Sequence, residues 1–570
     1  MRISRLVISN FRSIQNLDME LPQLCALVGP NNAGKSNILL AIQRVLGRDW
    51  VSVSSFEEDD VYARDPERDV SITLSFEPPL AFRKFKEADP VDISTLSFEF
   101  TRYKVGEKKG QRQLEQKCFG PNGKLPMVLV KAPRKGQQRE YEPLVNVPSE
   151  VREQIPVIYI GTNRSLKEHL PGARYSLLRQ LFEDIDRDLH NPAQTVKILQ
   201  PDGTDAEVPR AERFNELMEA AMRLLRTDSF ERLEKSIKDN VLRQLGFDPT
   251  TDTDKLDFFF APFDTMDFYK SLDLRIREGS FSISATELGE GIQNALVMAI
   301  LQAFEERRKQ GAILLIEEPE MFLHPQMQRS LYRTLREIGK TNQVIYTTHS
   351  PHFVSVPDYQ DVVLVRKGTD GTEVRRSDLP TDARRREKLI KELDPERNEL
   401  FFATRLLLVE GDTEKLAIPE YASRLGFDLD RAGATIVEVG GKRNLPEFIS
   451  IAASFGIPVG VLYDEDSSDF KDGNEERKFN EQLDAFRKDD GSVRVWRMPK
   501  NYEDHLRKTL GEAKYLELCQ KYPNVGKPTR ARLIACEADL TVPDPIEKIL
   551  NWLSPSAARR RGDGSGMAPH

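Results

Sequence analysis

Gly29-Pro30-Asn31-Asn32-Ala33-Gly34-Lys35-Ser36 stands between an apolar run, Leu24 to Val28, and a helical pattern, Asn37 to Leu46. The eight residues fit G-x4-G-K-[ST] in the strand, loop, helix context that the motif requires. The chemistry follows from the residue types. Glycines let backbone N–H groups converge on phosphate oxygens at a helix N-terminus, Lys35 brings a point charge, and the Ser36 hydroxyl ligates Mg²⁺. A nucleotide triphosphate is the expected ligand.

A phosphate loop needs a partner that holds the metal and the attacking water. Ile313-Leu314-Leu315-Ile316 is a short apolar run that ends in Glu317-Glu318-Pro319-Glu320. Glu317 is placed to hold Mg²⁺ through water, and Glu318 to orient or deprotonate the water that attacks the γ-phosphate. A second apolar run, Val344 to Thr348, ends in His349-Ser350-Pro351, which puts an imidazole at a strand end where it can sense the γ-phosphate. Thr286-Glu287-Leu288-Gly289-Glu290-Gly291 precedes another helical pattern.

With 570 residues the chain is too long for one core, so several domains are expected. A mean hydropathy of -0.50 excludes a membrane-spanning class. The N-terminus lacks a signal peptide, which points to the cytoplasm. The four cysteines show no C-x-x-C spacing, so neither a disulfide framework nor a zinc site is expected. A net charge of -8 gives no global basic field, so nucleic-acid contact must rest on local patches or on metal ions bridging phosphates. The stretch from Arg102 to Arg139 carries eleven Lys and Arg against Glu107 and Glu115, and reads either as such a patch or as solvated hairpin loops.

The expected fold class is α/β multidomain: a nucleotide-binding α/β domain with a β-rich lobe and a helical insertion, followed by a smaller Rossmann-like domain. Residues 1–174 and 247–366 form the two parts of the ATPase and 175–246 the helical insertion, either a dimerisation element or a helical cap packed on its own domain. The polar span 367–400 reads as a linker, 401–554 as the second α/β domain, and 555–570 as a disordered tail.

The second domain carries its own constellation. Leu406-Leu407-Leu408-Val409 ends in Glu410-Gly411-Asp412-Thr413-Glu414, where a strand turns at glycine into a helix and Glu414 falls on the same side as Glu410. Val459-Gly460-Val461-Leu462-Tyr463 ends in Asp464-Glu465-Asp466, and extended geometry would aim Asp464 and Asp466 the same way. Parallel strands of such a sheet present their C-terminal ends to one crevice. Carboxylates brought so close repel, so the cluster makes sense chiefly around a cation, and oxygen-only ligands suit Mg²⁺ or Mn²⁺, with Ca²⁺ a further candidate. Gly440-Gly441-Lys442 follows another strand end, either as a phosphate contact or as a tight turn.

These residues carry a resemblance. Asn10-Phe11-Arg12-Ser13, the phosphate loop, the Thr286 to Gly291 signature, Glu317 to Glu320 with Leu323-His324-Pro325, and Thr348 to Pro351 are similar to the RecF/SMC branch of ABC ATPases. That resemblance implies that Arg12, Asn32, Gly34, Lys35, Ser36, Glu317 and His349 serve ATP. It further implies that Gly289 of one subunit closes on the nucleotide of another, giving a homodimer or higher homo-oligomer. Glu410 with Asp464-Glu465-Asp466 resembles the Toprim domain. An ABC ATPase followed by Toprim is similar to the OLD family, named for overcoming lysogenisation defect, which includes the nuclease subunit of Gabija phage defence. The resemblance implies ATP, two-metal cleavage of DNA, a further acidic ligand and a late lysine, and a helicase-like partner protein in some members. Glu503 in Asn501-Tyr502-Glu503-Asp504 is the chosen acid, Asp504 the runner-up, and Lys527 the chosen lysine. An ATP-driven clamp or sensor with a non-catalytic Toprim fold is the competing expectation.

Overall fold

The computed structural model describes residues 1–47, 50–86, 88–130, 139–162, 166–170, 176–199, 205–256, 264–278, 281–307, 311–380, 395–466 and 473–554. Two compact units divide the chain: Met1–Thr162 with Gln310–His570, and Asn163–Lys309 between them.

The first unit opens with three strands, β1 Arg2–Phe11, β2 Ile14–Glu20 and β3 Leu24–Val28. A lobe of long antiparallel strands follows, β4 Val70–Phe82, β5 Val91–Arg102 and β6 Arg112–Phe119, with a short pair β7 Met127–Leu129 and β8 Tyr141–Pro143. β9 Val157–Ile160 closes this part of the chain. The strands of the lobe alternate buried and exposed positions, as antiparallel strands with one wet face do.

The second unit holds the strand pairs β10 Thr195–Leu199 with β11 Asp205–Pro209, and β12 Arg275–Glu278 with β13 Phe281–Ser284. Between and around them run the helices Leu177–Leu189, Arg210–Leu225, Asp228–Gln244 and Glu290–Arg307. Among the described residues β12 pairs with β13 alone. Its hairpin partner comes a few residues later, so local pairing wins over a distant sheet edge.

Back in the first unit, β14 Ile313–Ile316, β15 Gln343–Thr348, β16 Val362–Gly368 and β17 Gly371–Arg376 complete an eleven-stranded sheet in the order β6-β5-β4-β1-β2-β17-β16-β3-β15-β14-β9. The strands β9, β14, β15, β3 and β16 are parallel neighbours. β3, β14 and β15 are buried at every residue, which is why they read as unbroken apolar runs rather than alternating ones. β17 falls inside the span expected as a linker. Its sequence, Gly-Thr-Glu-Val-Arg-Arg, is polar because it pairs at a solvated face of the sheet, and polarity alone reads as linker.

Four parallel strands form a separate sheet in the order β19-β18-β20-β21: β18 Arg405–Val409, β19 Ala434–Glu438, β20 Val459–Asp464 and β21 Val493–Met498. The helices Asp412–Arg424, Tyr502–Leu510, Lys527–Ala535 and Asp544–Leu553 bury Ile418, Tyr421, Tyr502, Leu506, Ile534 and Leu550 in one core beneath it. All four strands point one way, so the ends of β18, β19 and β20 open on the same edge. The span 555–570, expected to be a disordered tail, lies outside the described residues, as do residues 381–394 of the expected linker. Among the described residues no helix is long and apolar enough to cross a membrane.

Candidate functional site: a nucleotide loop and a carboxylate cluster

The phosphate loop follows β3 and feeds the helix Lys35–Leu46, whose buried face is Ile38, Leu39, Ile42 and Val45. Two glycines have no substitute. A Cβ on Gly29 would collide with the Val365 carbonyl oxygen, and one on Gly34, at φ +105°, would collide with the Thr372 and Ser13 hydroxyls. Ser13 thereby finds its purpose: its Oγ contacts Thr372 Oγ1 at 2.8 Å and accepts Asn37 Nδ2 at 2.8 Å, bracing the loop from outside. Asn32 takes a left-handed backbone, φ 61°, at the loop tip, and Ser36 is exposed.

Lys35 folds back and donates to the carbonyls of Gly29 at 2.8 Å and Pro30 at 3.0 Å. Burial pulls its pKa down to about 8, against the opposing pull of Glu318 and Glu320. Glu317 and Glu318 follow β14. Glu317 is buried, and the phenol of Tyr159 on the neighbouring β9 hydrogen-bonds its carboxylate; after burial, the charge and hydrogen bond of Glu317 raise the Tyr159 pKa. Glu318 sits at φ 41°, a costly backbone for a non-glycine residue, fixed because its N–H donates to both the carbonyl and the hydroxyl oxygen of Thr347, each at 3.0 Å. Its carboxylate stands 3.7 Å from His349 Nε2. Burial first and Lys35 second lower the His349 pKa, which favours the neutral imidazole. Glu320 accepts from Thr348 Oγ1 at 2.8 Å and His349 N at 2.5 Å, and so holds the turn after β15.

Arg12, expected at the nucleotide, has φ 50° and donates through Nε to the fully buried Asp60 at 2.7 Å, a carboxylate shared with Arg44 at 3.2 Å. Lys35, Glu317, Glu318 and His349 therefore gather around one loop. Gly289 lies in the other compact unit, ahead of the helix Glu290–Arg307, and a Cβ there would meet nothing within 4 Å.

The second site forms where β18 and β20 end side by side. Glu410, one residue beyond β18, accepts the Asp464 backbone N–H on Oε1 at 2.6 Å, and its own carbonyl accepts the Gly441 N–H at 2.8 Å. Glu414, on the first turn of Asp412–Arg424, is buried. Burial, then the charges of Glu414, Glu410, Asp466 and Glu503, push the Asp464 pKa up to about 9. Burial likewise lifts Glu410 to about 8 and Glu414 to about 7. Five carboxylates thus act on one another in a desolvated place, the condition under which ionisation is costly without a cation.

Extended geometry does not carry through the D-x-D sequence. β20 stops at Asp464, and Asp466 adopts φ 51° with its N–H donating to the Lys500 carbonyl at 2.9 Å. The chain turns there because Glu465 N is already captured by the Met498 carbonyl at the end of β21. Asp466 still bears on Glu410 and Asp464 electrostatically. Of the two late acids, Glu503 acts on the cluster, whereas Asp504 turns to Lys500 at 2.5 Å, which holds its carboxyl below the usual range. Lys527, at the first turn of Lys527–Ala535, has its Nζ 3.8 Å from Glu503 Oε1 and an exposed side chain.

Lys442 points inward rather than out to a phosphate. It is buried, donates to the Asp464 carbonyl, pairs with Glu476 at 2.8 Å and lies 3.7 Å from Asp466. Sequence reasoning missed this counter-charge and missed Tyr159. The only sequence sign of Tyr159 was the run Val157-Ile158-Tyr159-Ile160, which matches β14 in length and apolar character.

The donor set of the cluster fits a hard divalent cation: oxygen ligands alone, desolvated and mutually repelling. Among the described residues no three of them already stand at metal-gripping geometry. Four of the eight described cations of the Arg102 to Arg139 stretch are in ion pairs: Arg102 and Arg112 hold Glu58 at 3.3 and 2.8 Å, Lys117 lies between Glu99 and Glu115, and Arg139 meets Asp89 at 3.0 Å. Lys131, Arg134 and Lys135 lie outside the described residues.

Fold and sites together define an ABC-type ATPase head joined to a Toprim domain. Residues 1–122 and 161–354 match the AAA ATPase domain family, and residues 401–466 match the Toprim domain of overcoming-lysogenization-defect-like proteins. The chain belongs to the OLD nuclease family. It is 32% identical over 476 residues to the OLD nuclease of Thermus scotoductus, covering 81% of this chain and 82% of that one. It is 25% identical to the Old nuclease of Escherichia phage P2, covering 81% and 77%, and 22% identical to Endonuclease GajA of Bacillus cereus strain VD045, covering 77% and 71%. The protein is an enzyme with an ATPase part and a Toprim nuclease part; the first implies ATP and the second a divalent metal.

Proposed function

We propose that this chain is an ATP-controlled, divalent-metal-dependent DNA endonuclease that nicks or cuts duplex DNA in phage defence or DNA repair. The observation that carries the reading is the cluster at the ends of β18 and β20, where Glu410 grips the Asp464 backbone at 2.6 Å and Glu414, Asp466 and Glu503 act on the same carboxyl. When bound, Mg²⁺ or Mn²⁺ supplies an activated water and stabilises the leaving oxygen of a phosphodiester. Glu410, Glu414, Asp464 and Asp466, with Glu503, are the residues that would hold it. Lys442 keeps the Asp464 carbonyl and Asp466 in place, and Lys527 stands where it can steady charge on a phosphate. At the other site Asn32, Gly34, Lys35 and Ser36 bind ATP with Arg12 as a further contact and Gly289 of a second copy closing on the nucleotide, Glu317 holds its metal, Glu318 orients water, and His349 senses the γ-phosphate.

A homodimer or higher homo-oligomer fits the second unit. Leu217, Leu224, Leu225, Leu233 and Leu245 are more than half exposed on or beside the helices Arg210–Leu225 and Asp228–Gln244. Such a run of bare leucines asks for cover, and a second copy provides it. The helicase-like partner rests on the resemblance alone. Supercoiled plasmid incubated with the protein, Mg²⁺ or Mn²⁺, and ATP tests the function. Nicked or linear product that disappears in Asp464→Asn supports it; unaltered plasmid favours the clamp or sensor, and relaxed topoisomers a topoisomerase.

A further inference from the structure

Arg397 and Asn398 are consecutive, both nine-tenths buried or more, and their side chains leave in opposite directions. They lie in the short helical turn Pro395–Phe402, directly ahead of β18. Asn398 spends its amide on the segment after His349: Nδ2 donates to the carbonyls of Pro351 and Val354, each at 2.9 Å, and Oδ1 accepts the Val356 N–H at 3.1 Å. That segment is tied to the nucleotide site, because Thr348 Oγ1 donates to Glu320 at 2.8 Å and accepts the Ser350 N–H at 3.0 Å. Arg397 reaches the other sheet. Its Nε donates to the Glu438 carbonyl at 2.9 Å and its Nη2 to the Glu438 carboxylate at 3.0 Å.

Glu438 is the last residue of β19, and the four residues after it shape the carboxylate cluster. Its other carboxylate oxygen accepts the Gly440 N–H, the Val439 N–H donates to the Val409 carbonyl at 3.1 Å, the Gly441 N–H donates to the Glu410 carbonyl at 2.8 Å, and Lys442 donates to the Asp464 carbonyl. The run from Glu320 to Glu410 is therefore a chain of directional hydrogen bonds, part-buried for the most part and buried where Asn398 meets Val354 and Val356, with a single peptide unit at its middle. Buried polar groups of this kind cannot be rearranged singly without orphaning a donor or acceptor, so a shift at one end is passed on or resisted as a unit.

We propose that Arg397 and Asn398 are positioning residues through which the nucleotide state, felt at His349 and the turn after it, sets the geometry of Glu410 and Asp464 and so the rate of phosphodiester cleavage. The inference rests on the nuclease reading above and adds the route of its control. The two side chains lie outside both the phosphate loop and the carboxylate cluster; they join the segment after His349 to the end of β19. Coupling carried by a few hydrogen bonds corresponds to roughly a 5- to 150-fold change between nucleotide states.

The test uses the full chain, supercoiled plasmid and Mn²⁺, with and without a hydrolysis-resistant ATP analogue. The wild type should show a nucleotide-dependent change in cleavage rate. Asn398→Leu, which keeps the branching at Cγ and removes all three bonds, and Arg397→Lys, which keeps the charge and loses the fork onto Glu438, should bring that ratio to within about 2-fold of unity. Cleavage without nucleotide and ATP hydrolysis should stay near wild type in both variants, and the melting temperature near wild type in Arg397→Lys, so a merely structural defect is recognised. The Arg397→Lys result stands alone if Asn398→Leu does not fold. A ratio preserved in both variants, or a wild type that cuts equally fast in both states, overturns the proposal. If the wild type cuts no plasmid with any metal, the nuclease reading falls instead, and hydrogen exchange decides the bridge. Added analogue should change protection over residues 438–442 in wild type and not in Arg397→Lys; an identical response in both, or none in wild type, overturns it.

Discussion

Asp464→Asn should flatten the pH dependence of the metal-free second domain. Burial first, then Glu414, Glu410 and Asp466, move the Asp464 pKa from 3.8 up to about 9. A carboxyl raised on folding contributes its full stability below the unfolded value and loses it as pH rises through the folded one. Each unit is ~1.4 kcal/mol, so between about pH 5 and about pH 8 the loss is at most ~4 kcal/mol. Water and salt reaching the open edge reduce it to about 2 kcal/mol. Asparagine cannot ionise, so the variant should keep that stability and also relieve Glu410 and Glu414, which repel Asp464. The assay is urea unfolding in chelator, followed by tryptophan fluorescence. Trp496 and Trp552 pack with ring centroids 5.6 Å apart in the second domain, and a Trp50→Phe background removes the exposed tryptophan of the first. Equal loss of stability with pH in both proteins would refute the claim that these carboxylates crowd one another.

Lys35→Ala should weaken ATP binding by about 10- to 100-fold, the worth of charge-assisted hydrogen bonds to phosphate, while plasmid cutting without nucleotide persists; unchanged affinity by calorimetry would contradict the loop assignment. Glu318→Gln should bind ATP and hydrolyse it at least about 100-fold more slowly, a result read by phosphate release. Gly460→Ala places a Cβ 2.7 Å from the Trp552 ring and 2.9 Å from the Trp496 ring, and should cost about 1–3 kcal/mol with a shift in their emission; an unmoved unfolding midpoint would show that β20 is less tightly packed than these distances require.

Much of both sites is visible in the chain because the residues concerned are consecutive. The phosphate loop, the pair Glu317 and Glu318 and the ends of β18 and β20 each combine an apolar run with the chemistry at its end, so one pattern locates strand, turn and function together. What pairing alone decides stayed hidden. β9 sits next to β14, and only that register brings Tyr159 to Glu317. β17 is polar yet belongs to a sheet, because its partners and not its composition hold it there. Asp466 escapes period-two reasoning because β21 captures the backbone one residue earlier. Lys442 could be read only as a phosphate contact or as part of a tight turn, because sequence cannot show that three acceptors wait for it inside.

Anomalous diffraction from crystals grown in Mn²⁺ tests the central claim most directly. The account requires a manganese peak about 2.0–2.3 Å from carboxylate oxygens of both Glu410 and Asp464, with Glu414, Asp466 or Glu503 drawn in to complete its shell. Manganese bound elsewhere, with Glu410 still holding only the Asp464 backbone and no ion between the two strand ends, would contradict it.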